Sequence, residues 1–208
     1  MIELHHCADA RSFRPLWALE EMGLPYRLHL LPFPPRIRSP EYLKVNPLGT
    51  IPFLVDGETT MSESAAMLEY LAGRYGPTPL AVAPDEPAYG AWLNWLHFGE
   101  ATLTFPQTLV LRYRRLEPRE RRLPQAADDY AQWFRSRLKQ VDRTLADGRE
   151  HLCADRFTMA DISVGYALLL AGTLKLDEGW SPNVQAYWSR LSARPGFLAA
   201  KQAQLAKA

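Results

Sequence analysis

The stretch Asn46-Pro47-Leu48-Gly49-Thr50-Ile51-Pro52-Phe53-Leu54-Val55-Asp56-Gly57, followed closely by Ser62-Glu63-Ser64-Ala65-Ala66-Met67-Leu68, decides how this chain is read. Residues Ile51 to Val55 and Glu58 to Met61 predict two short strands. Asp56-Gly57 between them predicts a hairpin turn, because both residue types tolerate positive φ. Proline at the entrance of an interior strand removes a ladder donor and is confined to edges or special geometry, so Pro52 is a candidate cis proline. A cis bond turns the preceding residue outward, and the N–H and C=O of Ile51 would then pair with an extended peptide as an added strand does. An ordinary trans proline at a strand start is the alternative, and it is the commoner state of such bonds. Ser64 opens an apolar helix, where free N–H groups and the helix dipole attract a carboxylate. Glu63 beside it would receive an ammonium group, so the pair suits the zwitterionic head of an amino acid. A plain helix cap with an acidic first turn is the alternative.

Upstream, Ile2 to Cys7 reads as a strand, and Ser12 to Met22 carries Phe13, Leu16, Trp17 and Leu19 as a helical stripe ended by Gly23. Tyr26 to Leu31 alternates as a second strand, followed by a loop rich in proline (Pro32, Pro34, Pro35). Two strands joined by a helix should run parallel with a right-handed crossover, giving a small mixed sheet completed by the hairpin. Downstream, Pro77, Pro79, Pro84 and Pro87 fall within eleven residues and mark a domain linker. Beyond it the chain reads as helix. Ala88 to about Arg115 spaces Trp92, Trp95, Leu96, Leu103, Leu109 and Val110 at helical intervals, and Tyr130 to Leu145 repeats the pattern. Thr158-Met159-Ala160-Asp161 resembles a capping box with Asp in place of Glu, and Phe157 and Ile162 occupy the flanking staple positions, so a buried helix is expected to start there. The expected organisation is an α/β domain over residues 1–78 and an all-helical domain over 86–208.

Composition narrows the function. The 208 residues are 47% hydrophobic and 23% charged, the balance of an ordinary globular chain. Lys and Arg number 24 against 23 acids, so no global field selects a polyanion or an anionic membrane. Arg112 to Arg122 holds six arginines in eleven residues, but Glu117 and Glu120 interrupt it and Tyr113 alone supplies an aromatic ring. It reads as a solvated surface, and no nucleic-acid partner is expected. Cys7 and Cys153 are too few and too distant for a disulfide framework or a zinc cluster. His5 and His6 alternate faces of a strand, so no metal is expected there. The longest uncharged apolar stretch, Ile162 to Leu174, falls short of the roughly 18 to 20 residues that span a bilayer. The N-terminus lacks the pattern of a secretory leader, and a cytoplasmic location without a membrane partner is expected.

NPLGTIPFLVDG (46–57) followed by SESAAMLEYLAGRY (62–75) resembles the glutathione-binding half of the cytosolic glutathione S-transferases, with the two segments in the family's order and spacing. SFRPLWALEEMGLPY (12–26) resembles the family's first helix and second strand, and FTMADISVGYALL (157–169) its capped core helix. The proline linker falls where the family joins its domains. The resemblance implies an N-terminal thioredoxin-like domain, an all-helical C-terminal domain that binds a hydrophobic electrophile, and a homodimer. It implies that Pro52 is the cis proline, that Ile51 pairs with the cysteinyl part of glutathione, and that Glu63 and Ser64 hold the γ-glutamyl group. Lys44 would face the glycyl carboxylate.

The family uses a Tyr, Ser or Cys just after the first strand to stabilise the glutathione thiolate. If Arg14 matches the arginine common in the first helix of serine-type members, the usual serine falls at or just before Ala10, where no hydroxyl exists. Ser12 is then the candidate catalytic group, as a helix cap aimed at the sulfur, with Arg11 adding charge. Cys7, upstream of the family's cysteine position, is expected to be a core thiol. Phe98, Phe105, Tyr113 and Tyr166 are the candidate walls of the electrophile site, and His97 is expected to be a buried histidine with its bonds satisfied. The expected activity is conjugation of glutathione to an electrophile. The alternatives are a glutathione-binding protein of the same fold without turnover, or a glutathione-dependent reductase or peroxidase.

Overall fold

The computed structural model describes residues 1–205; residues 206–208, the end of the expected second domain, lie outside the described residues. The chain forms two compact units. One is Met1–Ala81 joined by residues 192–205, and the other is Val82–Leu191.

The first unit is built on a sheet of strands β1 (Ile2–His6), β2 (Tyr26–Leu30), β3 (Phe53–Asp56) and β4 (Thr59–Met61) in the order β2-β1-β3-β4. β1 runs parallel to β2, as a strand–helix–strand crossover requires, and antiparallel to β3. The β3–β4 hairpin is present, but its two loop residues are Gly57 and Glu58, because Asp56 pairs with Thr59 as the last rung of the ladder. Helix α1 (Phe13–Met22) ends at Gly23 in the left-handed conformation, where Leu24 N–H closes on Leu19 C=O. The proline-rich loop is partly helical: α2 (Pro35–Arg38) starts on a proline, whose fixed φ suits the first helical position, and a 3-10 turn (Pro40–Lys44) follows. Helix α3 (Ser64–Arg74) begins at the expected serine.

Helix α9 (Pro195–Ala203) belongs to this unit although it follows the whole helical region in sequence. It packs on α1, with the Phe197 ring edge-on to Phe13 and Trp17 at centroid distances of 5.2 and 5.0 Å. Glu21 accepts from Arg194 Nε and Nη2, each at 2.8 Å, and from the indole N–H of Trp17 at 2.9 Å. Gly196 lets α9 approach that carboxylate: a Cβ there would sit 2.6 Å from Glu21 Cδ.

The second unit comprises α4 (Tyr89–His97), α5 (Phe105–Leu111), α6 (Pro124–Leu145), α7 (Met159–Leu174) and α8 (Pro182–Ser192). The single helix expected over Ala88 to Arg115 is instead interrupted by π-helical turns at Phe98–Thr104 and Arg112–Leu116. Pro106 has no N–H to give the preceding turn, and the ladder widens just ahead of it. Helix α7 is apolar on all sides and buried, the pattern of a core helix. Its expected capping box forms: Ala160 N–H donates to Thr158 Oγ, and Asp161 accepts from the Thr158 N–H. Asp161 also accepts from Leu152 N–H and the Tyr187 hydroxyl, so one buried carboxylate ties the preceding loop and α8 to the start of α7.

Because Phe197 is almost fully buried against two aromatic rings, Phe197→Ala is expected to cost about 3 to 5 kcal/mol. Denaturant unfolding followed by circular dichroism measures it, and a loss below about 1 kcal/mol would show that α9 is a peripheral attachment.

Candidate functional site

The candidate site is assembled where three pieces of the first unit meet the end of β1. The β1–β3 register pairs Leu4 with Leu54 and His5 with Phe53. Continued by two residues, it brings His6 and Cys7 level with Pro52 and Ile51. The Ile51–Pro52 bond is cis, as the resemblance implies. Pro52 is buried and Ile51 half-buried, and among the described residues the Ile51 N–H and C=O have no hydrogen-bond partner. The loop before them is held by Asn46, whose amide donates to Thr50 C=O at 2.9 Å while its oxygen accepts from Leu48 N–H at 3.1 Å. Tyr42 donates to the same Thr50 carbonyl at 2.8 Å. Gly49 must be glycine in this loop, since it has φ +61° and a Cβ would lie 2.7 Å from Arg36 Cβ.

The second piece is the start of α3. Ser64 is 2% exposed, and its Oγ accepts from Arg14 Nη1 at 3.1 Å. Arg14 sits in the first turn of α1 with no exposed surface. A serine oxygen that accepts from a guanidinium keeps its own proton free to donate, and a carboxylate is the natural acceptor. Glu63 occupies the N-cap position in extended conformation, exposed and without a capping hydrogen bond from its side chain. Ser64 is therefore the first helical residue rather than the cap. The guanidinium behind Ser64 was not assigned to the site from sequence. Its signal is an arginine three residues before the buried Trp17, on the apolar stripe of α1, where a charge survives only with partners.

The third piece is the turn from β1 into α1. Ser12 does not cap α1 and presents no hydroxyl at the surface. It is fully buried, and its Oγ turns back to the end of β1, accepting from Cys7 N–H at 3.2 Å and donating to Cys7 C=O at 3.3 Å. Both functions of the hydroxyl are spent on the strand, so in this structure Ser12 fixes the turn. Ala10 and Arg11 are the half-buried residues ahead of it. Cys7 is a core thiol, and burial pushes it up to about 12. His6 is buried on one face of β1, while His5 lies on the other, stacked on His29 at 4.5 Å. Lys44 is exposed at the end of the 3-10 turn.

In the second unit, the four aromatics expected to wall one site do not line one cavity. Phe98 lines a groove of about 370 Å³ with Leu93, Asn94, His97, Ala101 and Thr102. Phe105 is 49% exposed and meets Tyr130 edge-on, and Tyr113 lies farther along, under the Arg112 guanidinium. Tyr166 is 2% exposed inside the core helix α7 and presents no wall. His97 is exposed on the groove rather than buried, because it falls on the outer face of α4 opposite Trp92, Trp95 and Leu96. The arginine-rich segment is laced by its own partners: Arg112 and Arg121 pair with Glu117, Arg114 with Asp128, and Arg115 donates to Thr173 C=O. Among the described residues, no group of three or more His, Cys, Asp or Glu side chains could hold a metal ion, and no helix is long and apolar enough to cross a membrane.

Both cysteines are buried, with Cys153 pushed up to about 11 by burial. A raised thiol stays protonated until the pH approaches that value, so at pH 8 the reactive thiolate is scarce. Native protein is expected to leave both thiols unlabelled by a disulfide reagent at pH 8 and to release two equivalents on unfolding; rapid labelling of a native thiol would contradict this burial.

The model of the Glutathione S-transferase, N-terminal domain, matches residues 10–74, and that of the Glutathione S-transferase, C-terminal domain, matches residues 111–195. Glutathione S-transferase hmp2 of Hypomyces subiculosus is 31% identical over 96% of this chain and 97% of its own length. Glutathione S-transferase 3 of Schizosaccharomyces pombe is 40% identical, in a match spanning 50% of this chain and 43% of that protein. A glutathione transferase family member from Pseudomonas fluorescens, whose structure holds two bound glutathione molecules, superposes with a TM-score of 0.83 at 26% identity, covering 96% of this chain and 92% of that one.

Proposed function

The chain belongs to the glutathione S-transferase family, a family of transferases, and from that premise we propose that it binds glutathione in the first unit and joins the glutathione sulfur to a hydrophobic electrophile. The observation that carries the reading is the buried Arg14–Ser64 hydrogen bond at the start of α3. It leaves the Ser64 proton for the α-carboxylate of the γ-glutamyl group, which the α3 N-terminus also favours, while Glu63 takes the ammonium. The unpaired Ile51 peptide group accepts and donates to the cysteinyl backbone in the manner of an added strand. Lys44 serves the glycyl carboxylate.

Anchored at both ends, glutathione would place its sulfur against the β1–α1 turn. With the Ser12 hydroxyl committed to Cys7, stabilisation of the thiolate falls to the backbone of that turn and to the charge of Arg11. Favouring the charged form lowers the thiol from its ordinary value of about 8.5, so more nucleophile is present near neutral pH. The thiolate then forms a C–S bond to the electrophile, whose leaving group departs with the bonding pair, and the thiol proton passes to solvent. Electrophile binding is assigned to the helical unit, where Phe98 is the member of the expected set that opens on a groove. The active species is read as a homodimer, which light scattering would report as twice the 23.6 kDa chain mass.

One observation favours a second reading, a glutathione-binding protein without turnover: neither Ala10 nor the buried Ser12 offers a hydroxyl to the sulfur. A reductase or peroxidase mechanism would need a reactive thiol, and burial raises both Cys7 and Cys153.

Ser64→Ala and Arg14→Met are each expected to weaken glutathione binding by about 10- to 100-fold, the worth of a hydrogen bond to a charged group. Calorimetric titration measures it, and wild-type affinity in both variants would remove the site assignment. The ultraviolet absorbance of bound glutathione, followed from about pH 5 to 9, separates the two functional readings. A transferase lowers the thiol pKa, so conjugation rises with pH through that lowered value and levels off before about 8.5. An unshifted thiol with saturable binding selects the non-catalytic protein.

A further inference from the structure

We infer that helix α9 sets the β1–α1 turn for action on the glutathione sulfur, with Asp9, Lys201 and Gln204 as positioning residues; this rests on the function proposed above. Asp9 is the second residue of the turn and has φ 52°, in the left-handed region that residues with a Cβ seldom occupy. Such a conformation persists where surrounding contacts over-determine it.

Those contacts come from the far end of the chain. Asp9 N–H donates to Gln204 Oε1 at 3.1 Å, and Gln204 Nε2 donates back to Asp9 Oδ1 at 2.7 Å. One side-chain amide thus grips the backbone and the carboxylate of a single residue. Lys201 Nζ donates to the same Asp9 oxygen at 2.7 Å. Gln204 Oε1 also faces His6 Nε2 at 3.1 Å, which assigns the ring proton to that nitrogen, because the amide oxygen only accepts. His6 ends β1, so the amide spans the strand end and the turn.

The clamp is itself held in place. Phe197 packs on Phe13 and Trp17, Arg194 forks onto Glu21, and the Lys201 ammonium lies 5.9 Å from the centre of the Phe13 ring. Across the turn, Ser12 holds Cys7 from the α1 side. The segment between these two anchors is Ala8 to Arg11. Within it the Asp9 and Ala10 N–H groups are given to Gln204 and Cys7 C=O, so what the clamp aims at the sulfur is the remainder of the segment with its arginine. A thiolate held by directed donors is sensitive to their placement, because electrostatic stabilisation depends on preorganisation.

The test uses the intact protein and four forms: wild type, Asp9→Gly, Asp9→Asn and Gln204→Ala. Glycine accepts the left-handed backbone and removes the carboxylate; asparagine tolerates the same backbone and keeps an oxygen for Lys201 and Gln204. For each, glutathione affinity is measured by calorimetry, the bound thiol is titrated by its ultraviolet absorbance, and kcat and KM for glutathione are obtained with a model aryl halide. Asp9→Gly and Gln204→Ala are expected to raise the bound thiol pKa by about one and to lower kcat about tenfold below that pKa, with glutathione affinity within about twofold of wild type. Asp9→Asn is expected to restore the wild-type titration.

A wild-type thiol pKa in folded, glutathione-binding Asp9→Gly and Gln204→Ala would overturn the inference and leave the proposed function standing. Loss of affinity and thermal stability with no movement of the thiol pKa would likewise reduce the clamp to a structural tie. If wild type binds no glutathione, or binds it with an unshifted thiol, the functional reading itself fails and the inference falls with it.

Discussion

A fully buried guanidinium under the start of α3 is the constraint on which the first unit depends. Removing the Arg14 charge from water is costly, and the cost is tolerable only if its donors meet fixed acceptors. One of those acceptors is the Ser64 hydroxyl. The pairing requires the first turn of α1 and the first turn of α3 to stay in register with each other. It also places a positive charge behind a helix N-terminus, so two independent fields of the same sign converge on one serine. Both fields favour negative charge at that serine.

Much of the surrounding fold, though not this pairing, was legible in the sequence because it is written in local patterns. Strand alternation, the helical stripe of Phe13, Leu16, Trp17 and Leu19, and the Thr158–Asp161 capping box each lie within one element, and each is found in the structure. Pro52 was readable only in part: its place in a strand pattern made it a candidate, and the cis bond followed from the resemblance rather than from the local pattern. What escaped is what depends on partners distant along the chain. Ser12 stands where a cap belongs, but its choice between capping α1 and bonding Cys7 is settled by the path of the turn. Tyr166 and His97 exchange their expected roles because the aromatic or polar nature of a helix residue does not reveal which face a neighbouring helix covers. The Asp9–Gln204 contact joins residues 195 positions apart and has no sequence signature.

The two units organise their buried polar groups in contrasting ways. In the helical unit a single carboxylate, Asp161, gathers donors from its own helix start, the loop before it and α8, and does so deep in the core. Its task is architectural, since the donors it accepts from, on Leu152, Thr158 and Tyr187, are themselves buried. In the first unit three of the buried polar groups, Arg14, Ser12 and Ser64, gather beyond the end of β1 where the chain turns. There, each hydrogen bond fixes a backbone segment that ends at the surface. Rigid packing behind and a shaped, polar rim in front are what a binding site on a small sheet requires.

Helix α9 gives the first unit an unusual relation to time. The sheet, α1 and α3 are all encoded before residue 82, yet the helix that packs on α1 and grips the β1–α1 turn is encoded after residue 191. During synthesis from the N-terminus, the ribosome must deliver the whole helical unit before the turn meets its clamp. A nascent chain halted anywhere in between would carry a sheet and a proline loop but leave Phe13 and Trp17 without their aromatic partner. The earliest part of the molecule to be made is therefore among the last to be finished.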